Sequence, residues 1–349
     1  MSYYIGRIRK ILALVYRFLL LWHTIVYIRS VYGPGRRILA HGSTGDTALI
    51  ASFADAHVEQ NGRTIFICSI IHRELFARFV FHPNAILVFF SENKCQLFRV
   101  SWQVVSFFFS DIERGNIINP CVHVCPAHIV LYPEINKSVI IRLEGNRDGI
   151  HYLDALRNIL SLATATNPRS PQYSKLDYQL LMNILAYSKV ESCRIALINP
   201  IYYTAENLTK NSWRAIARAL TDKGYTVLFN RQGNSGDEGQ VASIVPEEYI
   251  SIYMPAYLCP LAGQNVGLVC GRNGGGFNLL HSFLRPQRSL LILIEHDELS
   301  RDRWRDPRKE DALWNMHQFK GHVVDHITVV SLSDEEQSVY DKAIVALNS

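Results

Sequence analysis

The sequence predicts an α/β protein: two facing Rossmann-like domains preceded by an N-terminal helix that is both apolar and basic. Three observations carry this expectation. Short apolar runs alternate with stretches of helical spacing in each half of the chain, the pattern of parallel βαβ units. A polar, proline-bearing stretch, Thr164–Ser174 (TATNPRSPQYS), separates the halves and reads as a linker. Residues 1–45 hold a long apolar run and no Asp or Glu. The expected division is a helix over 1–32, one α/β domain over 33–165 and a second over 175–349.

A chain of 349 residues has room for two domains, and 48 % hydrophobic against 19 % charged content gives each enough material for a core. Seven cysteines are dispersed, with Cys121 and Cys125 the one close pair and no zinc-finger spacing. That count points to reduced thiols in a cytoplasmic protein. The sequons at Asn136 and Asn207 then carry no weight. The net charge of +5 sits in the N-terminus, where Arg7, Arg9, Lys10, Arg17, Arg29, Arg36 and Arg37 meet no acid. Taking these seven from 36 leaves 29 basic against 31 acidic residues, a remainder of −2. A nucleic-acid-binding body would carry its basic patch on the folded domains, so the distribution argues against that class.

Ile11–Ile28 (ILALVYRFLLLWHTIVYI) is the most apolar segment. Its length is near the lower limit for a spanning helix, and Arg17 stands close to its middle. Basic flanks with Tyr16, Trp22 and Tyr27 suit a helix lying in the headgroup region of an anionic leaflet. A span and a helix packed on the protein's own core are the other two readings. No small-residue cleavage site follows, so it does not read as a signal peptide.

In order, the first half offers strands at Arg36–Gly42, Arg63–Ser69 and Ala85–Ser91. A tight turn at Ser43–Thr47 separates the first from a helix over Ala48–Gln60, and His72–Val80 is the next helix. Cys95–Glu144 is dense in aromatics, with a strand expected at Ser138–Leu143; His151–Leu162 has helical spacing. The second half brings a helix at Tyr178–Lys189, a strand at Arg194–Pro200, a loop at Tyr202–Lys210 and a helix over Asn211–Lys223. That helix has its stripe at Trp213, Ile216, Ala217 and Leu220, and Gly224 ends it. Strands at Tyr225–Asn230, Val266–Cys270 and Ser289–Ile294 follow. A last helix over Ser333–Leu347 opens with a capping box, Ser333 and Glu336.

The stretch around which the chain is organised is Asn265–Phe283, NVGLVCGRNGGGFNLLHSF. Its apolar strand stops at Gly271-Arg272-Asn273-Gly274-Gly275-Gly276, and helical spacing (Phe277, Leu280, His281, Leu284) resumes. Glycines turning into a helix start present free backbone N–H groups to an anion, and Arg272 adds a bidentate cation. An ordinary βα turn whose glycines allow close packing is the plainer reading. In the first half, Asp46 is the carboxylate placed to act as general base, though aspartate is equally suited to cap a helix. Lys210 suits a leaving phosphate, or is a solvated loop lysine. His123 and His128 lie in a loop able to touch an acceptor, or serve the structure. Asp237 and Glu238 suit a sugar hydroxyl, or only a polar turn. The run Arg301–Arg305 alternates with acids and reads as a solvated face. No P-loop, dinucleotide GxGxxG, HExxH or GxSxG motif occurs.

Three stretches carry a family resemblance: RRILAHGSTGDTALIASFADA, INPIYYTAENLTKNSWRAIARALTDKGYTVLFN and NVGLVCGRNGGGFNLLHSF. Together they resemble the strand, Gly-Asp turn and helix, the Lys-x-x-Trp-type loop and helix, and the donor-binding turn of GT-B glycosyltransferases. Within that type the chain is similar to the bacterial lipopolysaccharide heptosyltransferases. The resemblance implies that Asp46 deprotonates the acceptor hydroxyl, that Lys210 lies near the donor diphosphate, and that Gly271–Gly276 lines the donor site. Ser43 and Thr44, with His123 and His128, are the residues expected to receive the acceptor. The donor turn departs from the family, which usually has an acidic residue, a small residue and Gly there with His soon after. Here Arg272-Asn273-Gly274 takes that place and Phe277 stands where His is expected, so ADP-heptose is not implied.

The expected function is metal- and cofactor-independent transfer of a sugar from a nucleotide-sugar donor to a cell-surface glycan or lipid-linked acceptor. The expected partners are that nucleotide sugar, a glycan or glycolipid, and the inner-membrane surface, with the protein cytoplasmic and peripheral on that membrane. A nucleotide-sugar epimerase of the same two-domain form, or a noncatalytic membrane-associated glycan-binding protein, are the alternatives.

Overall fold

The computed structural model describes residues 2–33, 36–40, 44–92, 94, 117–118, 156–157, 160–186, 189–200, 208–231, 244–272, 288–294, 327–332 and 336–348. The chain divides into two compact units, Met1–Arg147 with Asp154–Arg169, and Asp148–Leu153 with Ser170–Ser349.

The first unit opens with α1 (Ser2–Tyr32), which extends beyond both ends of the apolar segment. β1 (Arg36–Ala40), α2 (Thr44–Asn61), β2 (Thr64–Ser69), α3 (Arg73–Phe76), β3 (Ala85–Phe90) and β4 (Ile117–Ile118) follow. The strands form a parallel sheet in the order β3-β2-β1-β4. Every residue of β2 is buried, as an interior strand covered on both faces requires. α2 buries Leu49, Ile50, Phe53, Ala54 and Val58, and its polar Ser52, Asp55 and His57 as well. Each of those polar groups has a partner inside the unit. Asp55 accepts from the backbone N–H of Phe81 (3.0 Å) and His82 (2.9 Å), and from Arg169. Arg169 also lies over the Phe81 ring, so the stretch expected to be a linker is anchored at this residue. His57 Nδ1 bonds to the Leu160 carbonyl at 2.7 Å. The expected helix at His72–Val80 is shorter, a 3-10 turn over Ile70–His72 leading into α3.

The second unit runs α4 (Lys175–Leu185), β5 (Ile195–Asn199), α5 (Lys210–Asp222), β6 (Thr226–Asn230), β7 (Ile250–Ile252), α6 (Cys259–Asn265), β8 (Leu268–Arg272), β9 (Arg288–Ile294), β10 (Ile327–Leu332) and α7 (Glu336–Asn348). Its six strands are parallel in the order β10-β9-β8-β5-β6-β7. Counted from β5, this is the 3-2-1-4-5-6 order of a Rossmann sheet. α4 begins at Ser174, whose hydroxyl accepts from Asp177 N while the Asp177 carboxylate accepts from Ser174 N, a capping box.

The α5 stripe is where the spacing put it. Trp213, Ile216, Ala217 and Leu220 are fully buried against the sheet and against Val339, Ala343 and Leu347 of α7. Trp213 meets Phe229 edge-on at 6.3 Å. Gly224 ends the helix with φ +85°, a conformation glycine adopts without strain. Gly267 is required for a different reason: a Cβ there would fall 1.9 Å from the Cys193 carbonyl oxygen, so only glycine lets β8 enter beside β5.

Candidate functional site

Ligands of open parallel sheets lie beyond the strands' carboxyl ends, where the strand order reverses. In the second sheet the reversal falls between β5 and β8. β5 ends there at Asn199, which is in register with Gly271. Gly271 and Arg272 were expected in the turn; they are instead the last two residues of β8, opposite Leu291 and Ile292. Parallel partners on β9 extend the strand past the apolar run that marks it in the sequence. Arg272 is thus the residue from which the chain leaves the sheet. Asn273, Gly274, Gly275 and Gly276 lie outside the described residues, as do Phe277 to Leu284 and the polar loop from Gln232.

Two residues that sequence reasoning did not single out occupy this edge. Asn199 and Asn230 end adjacent strands and are buried. Asn230 Nδ2 donates to Asn199 Oδ1 at 3.2 Å, and Asn230 Oδ1 accepts from Met254 N at 3.1 Å. Buried amides need such partners, and here they tie the ends of β5 and β6 to the chain leaving β7. The signal was present: both strands are apolar up to a final Asn, IALIN and TVLFN. Two thiols flank the edge, Cys259 on α6 and Cys270 on β8. Burial pushes Cys259 up to about 12 and Cys270 higher still, so neither offers a thiolate.

Lys210 corrects a second expectation. It does not close a loop but opens α5, with Thr209 as N-cap accepting from Ser212 N at 3.1 Å. Its ammonium donates to Glu247 Oε1 at 2.5 Å, and Arg214 Nε donates to Glu248 Oε1 at 2.5 Å. The hydrogen bond from Lys210 holds the Glu247 carboxyl below the usual carboxylate range, and that from Arg214 does the same for Glu248. Both glutamates are exposed, so the pairs are screened and exchangeable.

In the first sheet the order reverses between β1 and β4. Past Ala40, the turn expected over Ser43–Thr47 is cut short because α2 starts at Thr44. Asp46 is the third residue of that helix, inside its first turn and not at the N-cap position. Acids are favoured there by the helix dipole. Ser43, His123 and His128 lie outside the described residues, as do Asp237 and Glu238. No group of three or more His, Cys, Asp or Glu among the described residues is arranged to hold a metal ion.

Solved structures match this architecture. A family 9 glycosyl transferase from Veillonella parvula is 13 % identical, over 90 % of this chain and 98 % of its own, with a TM-score of 0.53. The Escherichia coli ADP-heptose lipopolysaccharide heptosyltransferase II is 11 % identical over the same 90 % of this chain and 98 % of its own, with a TM-score of 0.51. The chain has a heptosyltransferase-like glycosyltransferase fold. At these identities the likeness concerns the fold alone. No protein-family model matches the sequence, and no curated protein does. At the carboxyl edge of the second sheet the described residues are the Asn199–Asn230 brace and Gly271–Arg272, with Lys210 opening α5; in the first unit, Asp46 stands in the first turn of α2.

Proposed function

We propose that the protein is a glycosyltransferase of GT-B type, moving a sugar from a nucleotide-sugar donor to a cell-surface glycan or lipid-linked acceptor. The observation that carries this is the strand-order reversal of the second sheet, with Gly271-Arg272 at its carboxyl edge, in a chain whose fold is shared with glycosyltransferases over 90 % of its length. The fold-sharing E. coli enzyme is named for an ADP-heptose donor, which supports a nucleoside diphosphate sugar as the substrate class.

In this reading the Asp46 carboxylate takes the proton of an acceptor hydroxyl. The acceptor oxygen bonds to the anomeric carbon as the bond from that carbon to the diphosphate oxygen breaks. The electron pair leaves with the nucleoside diphosphate, which Arg272, Lys210 and the backbone N–H groups of Gly274 and Gly275 stabilise. Preorganised charge of this kind is often the largest single contribution to catalysis. Lys210 must exchange Glu247 for the diphosphate, a change that a surface pair permits. Ser43, Thr44, His123 and His128 receive the acceptor.

The test is a thermal-shift panel of nucleoside diphosphates and their sugars, followed by incubation of the stabilising donor with and without acceptor glycans. Stabilisation, with donor consumed only when acceptor is present, is the expected result. Conversion of the donor alone would make the protein an epimerase, and no response to any nucleotide would overturn catalysis on nucleotide sugars.

A further inference from the structure

Helix α1 carries an apolar stripe that its own unit leaves uncovered. Leu12, Val15, Tyr16, Leu19, Trp22 and Val26 fall along one side of the helix and are 45–67 % exposed. The stripe runs about 21 Å along the helix at 1.5 Å per residue. The unit takes up a different face, near the helix's carboxyl end, where Thr24 and Ile28 are buried. There Arg63 Nη2 donates to the Tyr32 carbonyl at 2.7 Å.

Charge decides what fits this face. Arg7, Arg9, Lys10, Arg17 and Arg29 all belong to α1, which has no Asp or Glu. A second copy seated on the stripe would set one acid-free basic helix against another. An anionic surface would meet an acid-free basic helix with an exposed row of apolar and aromatic side chains, which sit well at the level of lipid headgroups. No helix among the described residues is long and apolar enough to cross a membrane. We propose that α1 docks the protein flat on an anionic lipid bilayer, with the Leu12–Val26 stripe buried in the headgroup layer. Such docking stands whether or not the chain transfers sugars.

Sedimentation of the full chain with vesicles tests this. Binding is expected to phosphatidylglycerol-containing vesicles and not to pure phosphatidylcholine, and raising salt to about 0.5 M weakens it because the attraction is screened. Leu19→Glu is expected to lower the affinity about tenfold or more, since a buried apolar contact is exchanged for a charge facing an anionic surface. Leu19 is 58 % exposed, so the variant should keep the thermal unfolding curve of the parent. The triple variant R7Q/R9Q/K10Q removes charge without touching the stripe and is expected to weaken binding to anionic vesicles alone. No binding to anionic vesicles, or equal binding by Leu19→Glu and the parent, overturns the proposal. A dimer that Leu19→Glu dissociates, seen by ultracentrifugation without vesicle binding, would assign the stripe to a second copy and overturn it equally.

Discussion

Asn230 reaches across the carboxyl edge of the second sheet to Asn199, Nδ2 to Oδ1 at 3.2 Å, while its own carbonyl oxygen holds Met254 N. One buried side chain thereby fixes three backbone segments around the point where strand order reverses. Replacing it with Ala leaves Met254 N without this acceptor, which costs roughly 1–3 kcal/mol for a buried group. Asn230→Ala should shift the urea midpoint of unfolding accordingly, and should weaken nucleotide binding as well. An unshifted midpoint would mean that water replaces the amide.

Asp46→Asn separates chemistry from binding. The amide keeps the shape of the first turn of α2 but cannot take a proton. Loss of a general base should lower the transfer rate about 10²–10⁴-fold. Donor affinity, measured by titration calorimetry, should stay at the parent's value. Transfer at the parental rate would remove Asp46 from the mechanism.

Lys210 and Glu247 give opposite signs. In the proposed donor site Lys210 meets the diphosphate, so Lys210→Ala should weaken nucleotide binding about tenfold or more. Glu247→Gln releases the ammonium from its present partner and should tighten binding, most visibly at low salt. If both variants bind as the parent does, the pair belongs to the surface and not to the donor site.

His57 sets an acid limit on the first unit. Its ring is buried, Nδ1 bonds to the Leu160 carbonyl, Asn61 Nδ2 lies 3.3 Å from Nδ1, and Nε2 has no partner among the described residues. Burial holds its pKa below the usual 6.5, the Leu160 carbonyl opposes that, and the charge of Arg36 adds to it. The unfolded chain therefore binds this proton more readily than the folded one. Stability from His57 is complete above about pH 6.5 and is lost as the pH falls through the lower folded-state value. Urea unfolding should show a midpoint that drops as the pH falls below about 6.5, and His57→Gln should flatten that drop. An equal drop in the variant would assign the acid sensitivity to other groups.

Much of the architecture was legible because the strands of a doubly covered sheet are short apolar runs, as Ile195–Asn199 and Thr64–Ser69 are. The α5 stripe was legible for the same reason, since 3.6-residue spacing and burial coincide. What escaped depends on partners distant in sequence. β8 continues through Gly271 and Arg272, which look like a turn until β9 pairs with them. β7 is three residues long and half exposed, and α6 starts at Cys259-Pro260, so neither presents a period. Lys210 could not be assigned to Glu247 across 37 residues of sequence. The asparagine brace hid in plain view, because a polar residue ending a strand is ordinary until its burial is known.

The proposed function stands on Arg272, at the strand-order reversal of the second sheet, holding a nucleoside diphosphate. Titration calorimetry of nucleoside diphosphates into the full chain and into Arg272→Ala tests it most directly. A single saturable site is expected in the parent, with affinity lowered about tenfold or more by the substitution, as loss of a charge-assisted phosphate contact requires. Equal affinity in the two proteins, or no binding by the parent, would contradict it.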